Sequence, residues 1–422
     1  MNNCVNDRVN AGATPATPGV HPAFSVFGLE LEYMLVDAAT LDIVPAADRM
    51  LAFLTPDVTT GLDWSNELVA HVIELKNPAP GPYAGLPQRL QTEIRRANAR
   101  LAAAGLRLLP SGMHPWMDPA RETVLWPHAG APIYAAYDRI FGCRAHGWAN
   151  VQSTHVNLPF ADDDEFDRLF AAVRCVLPLI PAIAASSPYA DARATVHLDQ
   201  RMAEYRGNSA RIPSVTGAVI PDAVRSRSDY EREILARLYR DIAPHDPDGV
   251  LRHEWLDARG AVARFGRQAI ELRVMDVQEC PQADVALAAF VTDVVTALYE
   301  EHWTDGAHQR ALPTSRLADV LAATIRDAED AVIADADYLT LFGVQRERMD
   351  AGALTWHLAD RLLARGARHA TLWALPLEHV LTRGTLARRL RRAAGPQPDR
   401  TALRTVYGAL AEALAAGHLF DP

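Results

Sequence analysis

Three observations predict an α+β fold with a mostly antiparallel sheet for this chain of 422 residues. Short segments of alternating polarity recur before Pro281, two of them flank a Gly-containing run as in a hairpin, and the chain after Pro281 reads as helix. In order, an Ala/Pro-rich leader over residues 1–24 precedes strand candidates at Phe27 to Asp37, His71 to Asn77, Arg107 to Gly112, Val151 to Pro159, His253 to Arg259 and Arg267 to Asp276. The last two form the expected hairpin. Helices are expected around 84–104, 132–142 and 162–186, the last opening on the acidic run Asp162 to Glu165, which suits the positive end of a helix dipole. Amphipathic Ala/Leu/Arg-rich segments near 283–303, 314–335, 345–366, 371–391 and 399–417 complete the chain. The organisation is therefore a leader (1–24), a mixed body (25–300) and a helical region (301–422) packed on that body.

Composition narrows the function classes. A formal net charge of -10 argues against a nucleic-acid backbone or an anionic membrane as the main partner, while a phosphate ligand stays open because metal ions can supply local positive charge. Lys76 is the only lysine, so no P-loop lysine exists. Cys4, Cys143, Cys175 and Cys280 form no C-x-x-C pair, which fits a reducing cytoplasm and indicates neither a disulfide framework nor a thiolate zinc site. The leader lacks the basic start and apolar run of a signal peptide, and no apolar stretch reads as membrane-spanning.

Alternation then sorts the side chains. In "FGLELEYMLVD", Glu30 and Glu32 share one face while Leu29, Leu31 and Tyr33 take the other. Glu74 and Lys76 oppose Ile73 and Leu75; Ser153, His155 and Asn157 oppose Thr154, Val156 and Leu158; Glu271 and Arg273 oppose Ile270, Leu272 and Val274. A solvated face would give the same pattern on any one strand. The combined polar set, however, is Glu, His, Asn and Arg rather than the Thr, Lys and Gln of ordinary exposed strands, which is a hard-cation ligand set with one anion clamp. Glu67, in "SNELVAHVIEL", adds a carboxylate from a loop. Four or five carboxylates converging on one histidine repel one another without metal and become sensible around Mg²⁺ or Mn²⁺ ions bridging phosphate oxygens.

Four blocks, "GLELEYMLVD", "STHVNLPFADDDEFDRLFAAVRCVLPLIPAIAASSPYADA", "EYRGNSARIPSVTGAVIPD" and "WLDARGAVARFGRQAIELRVMD", together resemble the glutamate-cysteine ligase family in its bacterial and plant branch, which includes the carboxylate-amine ligases. The resemblance covers residues 26–300 or so. It implies a curved antiparallel sheet with helices on its outer face, of the glutamine synthetase/guanido kinase type, and makes 25–300 the catalytic domain. The implied activity is ATP-dependent amide formation: the γ-carboxylate of glutamate is phosphorylated, and cysteine or a related amine displaces phosphate. Residue by residue, the family's metal ligands match Glu30, Glu32, Glu67, Glu74, His155 and Glu271, and its closing E-x-R matches Glu271 and Arg273. Arg273 then meets the transferring phosphoryl group, Arg206 grips the acid substrate, and Asn157 and Arg259 contact substrate. Departures exist: Asn157 replaces a second histidine common in the family, and Arg201 and Arg211 rival Arg206 for the acid. Asp257 and Arg259 fit a structural ion pair equally well. The partners implied are ATP, glutamate and the amine, with a homo-oligomer possible. Two other readings of the same residues are a metal-dependent hydrolase and a ligase-like protein that holds nucleotide without turnover.

Overall fold

The computed structural model describes residues 19–54 and 59–422, so most of the expected leader lies outside the described residues. Seven strands form the main sheet: β1 (Gly28–Asp37), β2 (Asp63–Asn66), β3 (Val72–Lys76), β4 (Leu106–Leu109), β5 (Ser153–Pro159), β6 (Ala261–Arg264) and β7 (Ala269–Asp276). Their order is β2-β3-β1-β5-β7-β6, with β4 pairing the second half of β1, and every pair is antiparallel.

Alternation explains what holds the sheet. Leu29, Leu31 and Tyr33 of β1, Ile73 and Leu75 of β3, Val156 and Leu158 of β5 and Ile270, Leu272 and Val274 of β7 are all buried in one core. Helices α1 (Leu86–Ala102), α2 (Ala131–Phe141), α3 (Asp163–Val176), α4 (Gln200–Tyr205) and α5 (Pro281–Tyr299) follow in the chain, and α5 packs against α1 and α3. Thr154 Oγ1 donates to Asp284 of α5 at 2.6 Å and so ties the sheet to that helix. By length and composition α5 could cross a membrane, contrary to the reading that no stretch of the sequence could; its residues are apolar because it lies in the core. Beyond it, α6 (Thr314–Asp327), α7 (Ala351–Ala364), α8 (Ala370–Arg383), α9 (Leu386–Ala394) and α10 (Arg400–Ala416) pack back on the body, α8 on α5 and α10 on β4 and α1.

Three expected elements are corrected. His253 to Arg259 is a 3-10 turn (Glu254–Leu256) in a loop, and the partner of β7 is instead Ala261–Arg264, inside the run that reads as the hairpin's turn. The actual turn is tighter, closing with Gln268 N–H on Phe265 O and with Gln268 at φ 48°. The long helix at 162–186 ends at Val176 because Pro178 and Pro181 lack the N–H groups that would continue it. Helix 371–391 breaks at Gly384, whose φ of 89° only glycine adopts freely. Strand β2 and a helical run at 227–242 were not foreseen.

Two buried histidines make the fold acid-sensitive. His71 Nε2 meets Ala149 O at 2.8 Å and His114 Nε2 meets Leu41 O at 2.8 Å. Burial, partly opposed by these backbone bonds, pushes both from 6.5 to about 4. Between these values the unfolded chain binds more protons than the folded one. Stability is therefore complete above pH 6.5 and falls as the pH drops toward 4, by roughly 3 kcal/mol for each histidine. Melting temperature measured across that window should fall steeply, and His71→Gln, which keeps a donor for Ala149 O, should reduce the slope.

Candidate active site

The polar faces of β1, β3, β5 and β7 are buried, not solvated. Glu30 is 4% exposed, Glu32 5%, His155 3%, and Glu74 and Glu271 are fully enclosed. Register brings them together: Glu30 stands opposite His155, Glu32 opposite Glu74, and Asn157 opposite Glu271.

Ligand-capable atoms of Glu30, His155 and Glu271 lie within 4.8 Å of one another. His155 Nδ1 is 3.1 Å from Glu30 Oε2 and 3.9 Å from Glu271 Oε1. Its Nε2 sits 2.8 Å from Ser153 Oγ, and Ser153 gives both its N–H and its hydroxyl to Glu32 Oε2, at 2.7 and 3.0 Å. Burial lowers His155 to about 4 against the pull of Glu32 and Glu271, so the ring is neutral, as a ligand must be. Burial and the charge of Glu271 raise Glu30. Glu271 itself is held well below the usual carboxylate range: burial opposes its charge, but Arg264 and Arg273 outweigh that cost. Arg264 Nε donates at 2.8 Å and Arg273 Nη2 also donates to this carboxylate.

The other expected residues are placed as follows. Glu32 and Glu67 line a cavity beside the three-residue cluster, together with His155, Arg201 and Arg273. Leu68, Val69, Val72 and Trp148 supply its apolar wall. Glu74 bonds Ser65 Oγ at 2.6 Å and Lys76 Nζ at 3.1 Å, leaving its Oε1 buried without a donor. Asn157 Nδ2 donates to Glu30 Oε1 at 3.2 Å. None of the three expected substrate contacts lines the cavity, Asn157 included. Arg206 ends α4 on the exposed surface, because it is rotated about 100° round the helix from buried Tyr205 and about 140° from buried Arg201. Arg259 is buried in ion pairs with Asp257 at 2.9 Å and Asp222 at 3.2 Å. Arg211 donates to Ile140 O and is exposed.

Arg264, the principal counter-charge of Glu271, was missed. The signal was available: once Ala261–Arg264 is read as a strand, Val262 pairs with Glu271 and Arg264 falls on the same face. Among the described residues, the only cluster of His, Cys, Asp and Glu spaced to hold a metal is Glu30, His155 and Glu271. Its chemistry fits a hard divalent cation, since two carboxylates and a neutral imidazole converge where an orphaned carboxylate oxygen, Glu74 Oε1, lies on a neighbouring strand.

Comparison with known proteins shows the family and the fold. The model of glutamate-cysteine ligase family 2 matches residues 26–409. An uncharacterized protein of Archaeoglobus fulgidus is 38% identical over 56% of this chain and 63% of its own length, so the chain spans under two thirds of that relative. A protein of Salinispora arenicola provisionally named glutamate-cysteine ligase 2 is 29% identical over 83% of each chain. Among solved structures, a glutamate-cysteine ligase from Francisella tularensis in complex with AMP superposes with a TM-score of 0.60 at 13% identity, over 93% of this chain and 89% of that one, which is a likeness of fold.

Proposed function

The chain belongs to glutamate-cysteine ligase family 2, and from that premise we propose that it is an ATP-dependent carboxylate-amine ligase acting through an acyl phosphate. Glutamate is the acid and cysteine or a related amino compound the amine. The observation that carries this reading is the buried convergence of Glu30, His155 and Glu271 within 4.8 Å, beside a cavity to which Arg273 contributes.

Glu30, His155 and Glu271, with Glu32 and Glu67 on the cavity wall and Glu74 behind them, would hold Mg²⁺ or Mn²⁺. When bound, such ions neutralise the phosphate oxygens that otherwise repel an incoming carboxylate. The chain's own residues do the rest. Arg273, anchored through Nη2 on Glu271, keeps Nε and Nη1 buried and without protein acceptors, available to the phosphoryl oxygens as charge moves between donor and acceptor. Arg201, the buried rival of Arg206, faces the same cavity and is the better placed to pair with a substrate carboxylate. Trp148 and the aliphatic wall exclude water, which protects an acyl phosphate from hydrolysis.

One geometry favours a second reading. Ser153 Oγ, His155 Nε2 and Glu30 lie in line as hydroxyl, imidazole and carboxylate, the arrangement a hydrolase would use once the hydroxyl turned from Glu32 to the imidazole. A single assay separates the two: phosphate release from ATP by purified protein, scanned over acid and amine pairs. The ligase reading expects release that needs both substrates and Mg²⁺ or Mn²⁺, with amide formed. Substrate cleavage without ATP would replace it by the hydrolase.

A further inference from the structure

Strict alternation along β7 puts Asp276 on the apolar face, with Ile270, Leu272 and Val274. The structure does otherwise. Thr154 pairs with Met275 and Val156 with Leu272, so two residues of β7, Arg273 and Val274, stand opposite His155 alone. This β-bulge inserts one residue into the count and returns Asp276 to the polar face, opposite Ser153. Bulges of this kind re-aim a side chain, and here the re-aimed group is a fully buried carboxylate.

Its surroundings are built to hold it in one place. Asp276 accepts from Ser186 N–H at 2.8 Å, from Ser187 Oγ at 2.7 Å and from Arg201 Nε. Ser187 Oγ in turn accepts the Arg201 backbone N–H at 3.0 Å, so the serine holds the arginine's backbone directly and its side chain through Asp276. A Cβ at Gly112 would collide with the Asp276 carboxylate, which is why the loop passes as glycine there. Asp199 lies beside the pair, and burial together with the charge of Asp276 keeps it well above the usual carboxylate range. Arg201 Nε is held on Asp276 and its Nη1 and Nη2 reach Arg273 O, each at 3.4 Å, so the guanidinium is fixed on the wall of the cavity.

We infer that Asp276 is a positioning residue for acid-substrate recognition: through the bulge in β7 it reaches the polar face and fixes Arg201 on the cavity wall, where the guanidinium meets a substrate carboxylate. The inference rests on the ligase reading. It assigns the bulge a purpose, since a regular strand would place Asp276 in the core and leave Arg201 without its anchor.

The test is steady-state kinetics on Asp276→Asn and Ser187→Ala with acid and ATP varied separately, alongside thermal melts of each variant. Asparagine keeps the shape but loses the charge, and the serine change keeps the carboxylate but loosens it. The expected result is an acid KM raised at least tenfold in Asp276→Asn and about threefold in Ser187→Ala, with kcat and the ATP KM within twofold of the parent. A lost structural support would instead lower kcat and raise both KM values together. An acid KM within twofold of the parent in either folded variant, or an ATP KM rising in step with it, overturns the inference and leaves the ligase reading intact. Failure of the parent protein to form amide from any acid and amine pair overturns the ligase reading itself, and this inference with it.

Discussion

Replacing Glu271 by glutamine is expected to lower metal-dependent turnover by about three orders of magnitude, because it removes the one carboxylate that both joins the proposed cation cluster and anchors Arg273. From the sequence, such a change looks harmless to folding, since it relieves one of several crowded like charges. The structure reverses that expectation for this residue. Arg264 and Arg273 are both buried against Glu271, and glutamine leaves two guanidinium groups without their counter-charge, a loss on the order of 3–5 kcal/mol. Glu30→Gln behaves differently. Glu30 is already raised by burial and by Glu271, so the neutral amide stands in for a carboxyl that gains little from its charge. It should cut turnover while leaving stability unchanged or slightly improved. Denaturant unfolding and phosphate-release assays on the two variants check both halves: equal stabilities would show that the Arg264 and Arg273 pairs contribute nothing.

The second large effect is expected at Arg273. Lysine keeps the charge but not the fork, so Arg273→Lys should lose either the Glu271 anchor or the reach toward the phosphoryl group. Turnover should fall about a hundredfold with the KM for ATP changed far less, the sign of an interaction strongest in the transition state. Arg201→Lys should instead raise the KM for the acid, a loss that is uniform between ground and transition states. Arg206→Lys, on the exposed end of α4, should leave both KM values alone. If Arg206→Lys raised the acid KM and Arg201→Lys did not, the acid grip would belong at the protein surface.

Much of the site was legible because it lies on strands. Glu30 and Glu32, Glu74, His155 and Glu271 with Arg273 are each placed on a common face by a period of two, and apolar residues on the opposite face mark which side the core takes. The C-terminal helices were legible for the same local reasons. What failed was where local rules lapse. "GAVARFG" reads as a turn because of its glycines, yet its central four residues form β6 and its turn lies after Phe265. Arg206 reads as the substrate clamp from a short motif, but helical phase turns it outward and Arg201 inward.

The residues by themselves determined that a set of glutamates, a histidine and an arginine would share one face of a sheet, since side-chain direction on a strand follows from covalent geometry. They determined equally that the other face would be buried. Only the tertiary structure decided that the polar face is enclosed, that Arg264 is the partner of Glu271, and that Asp276 stands on the site's side. A bulge is a mismatch between two strands, two residues against one, and exists in neither strand taken alone. Burial of the polar face likewise depends on Trp148, Tyr205 and Arg201, which arrive from segments far along the chain and close the cavity only when the whole fold is assembled.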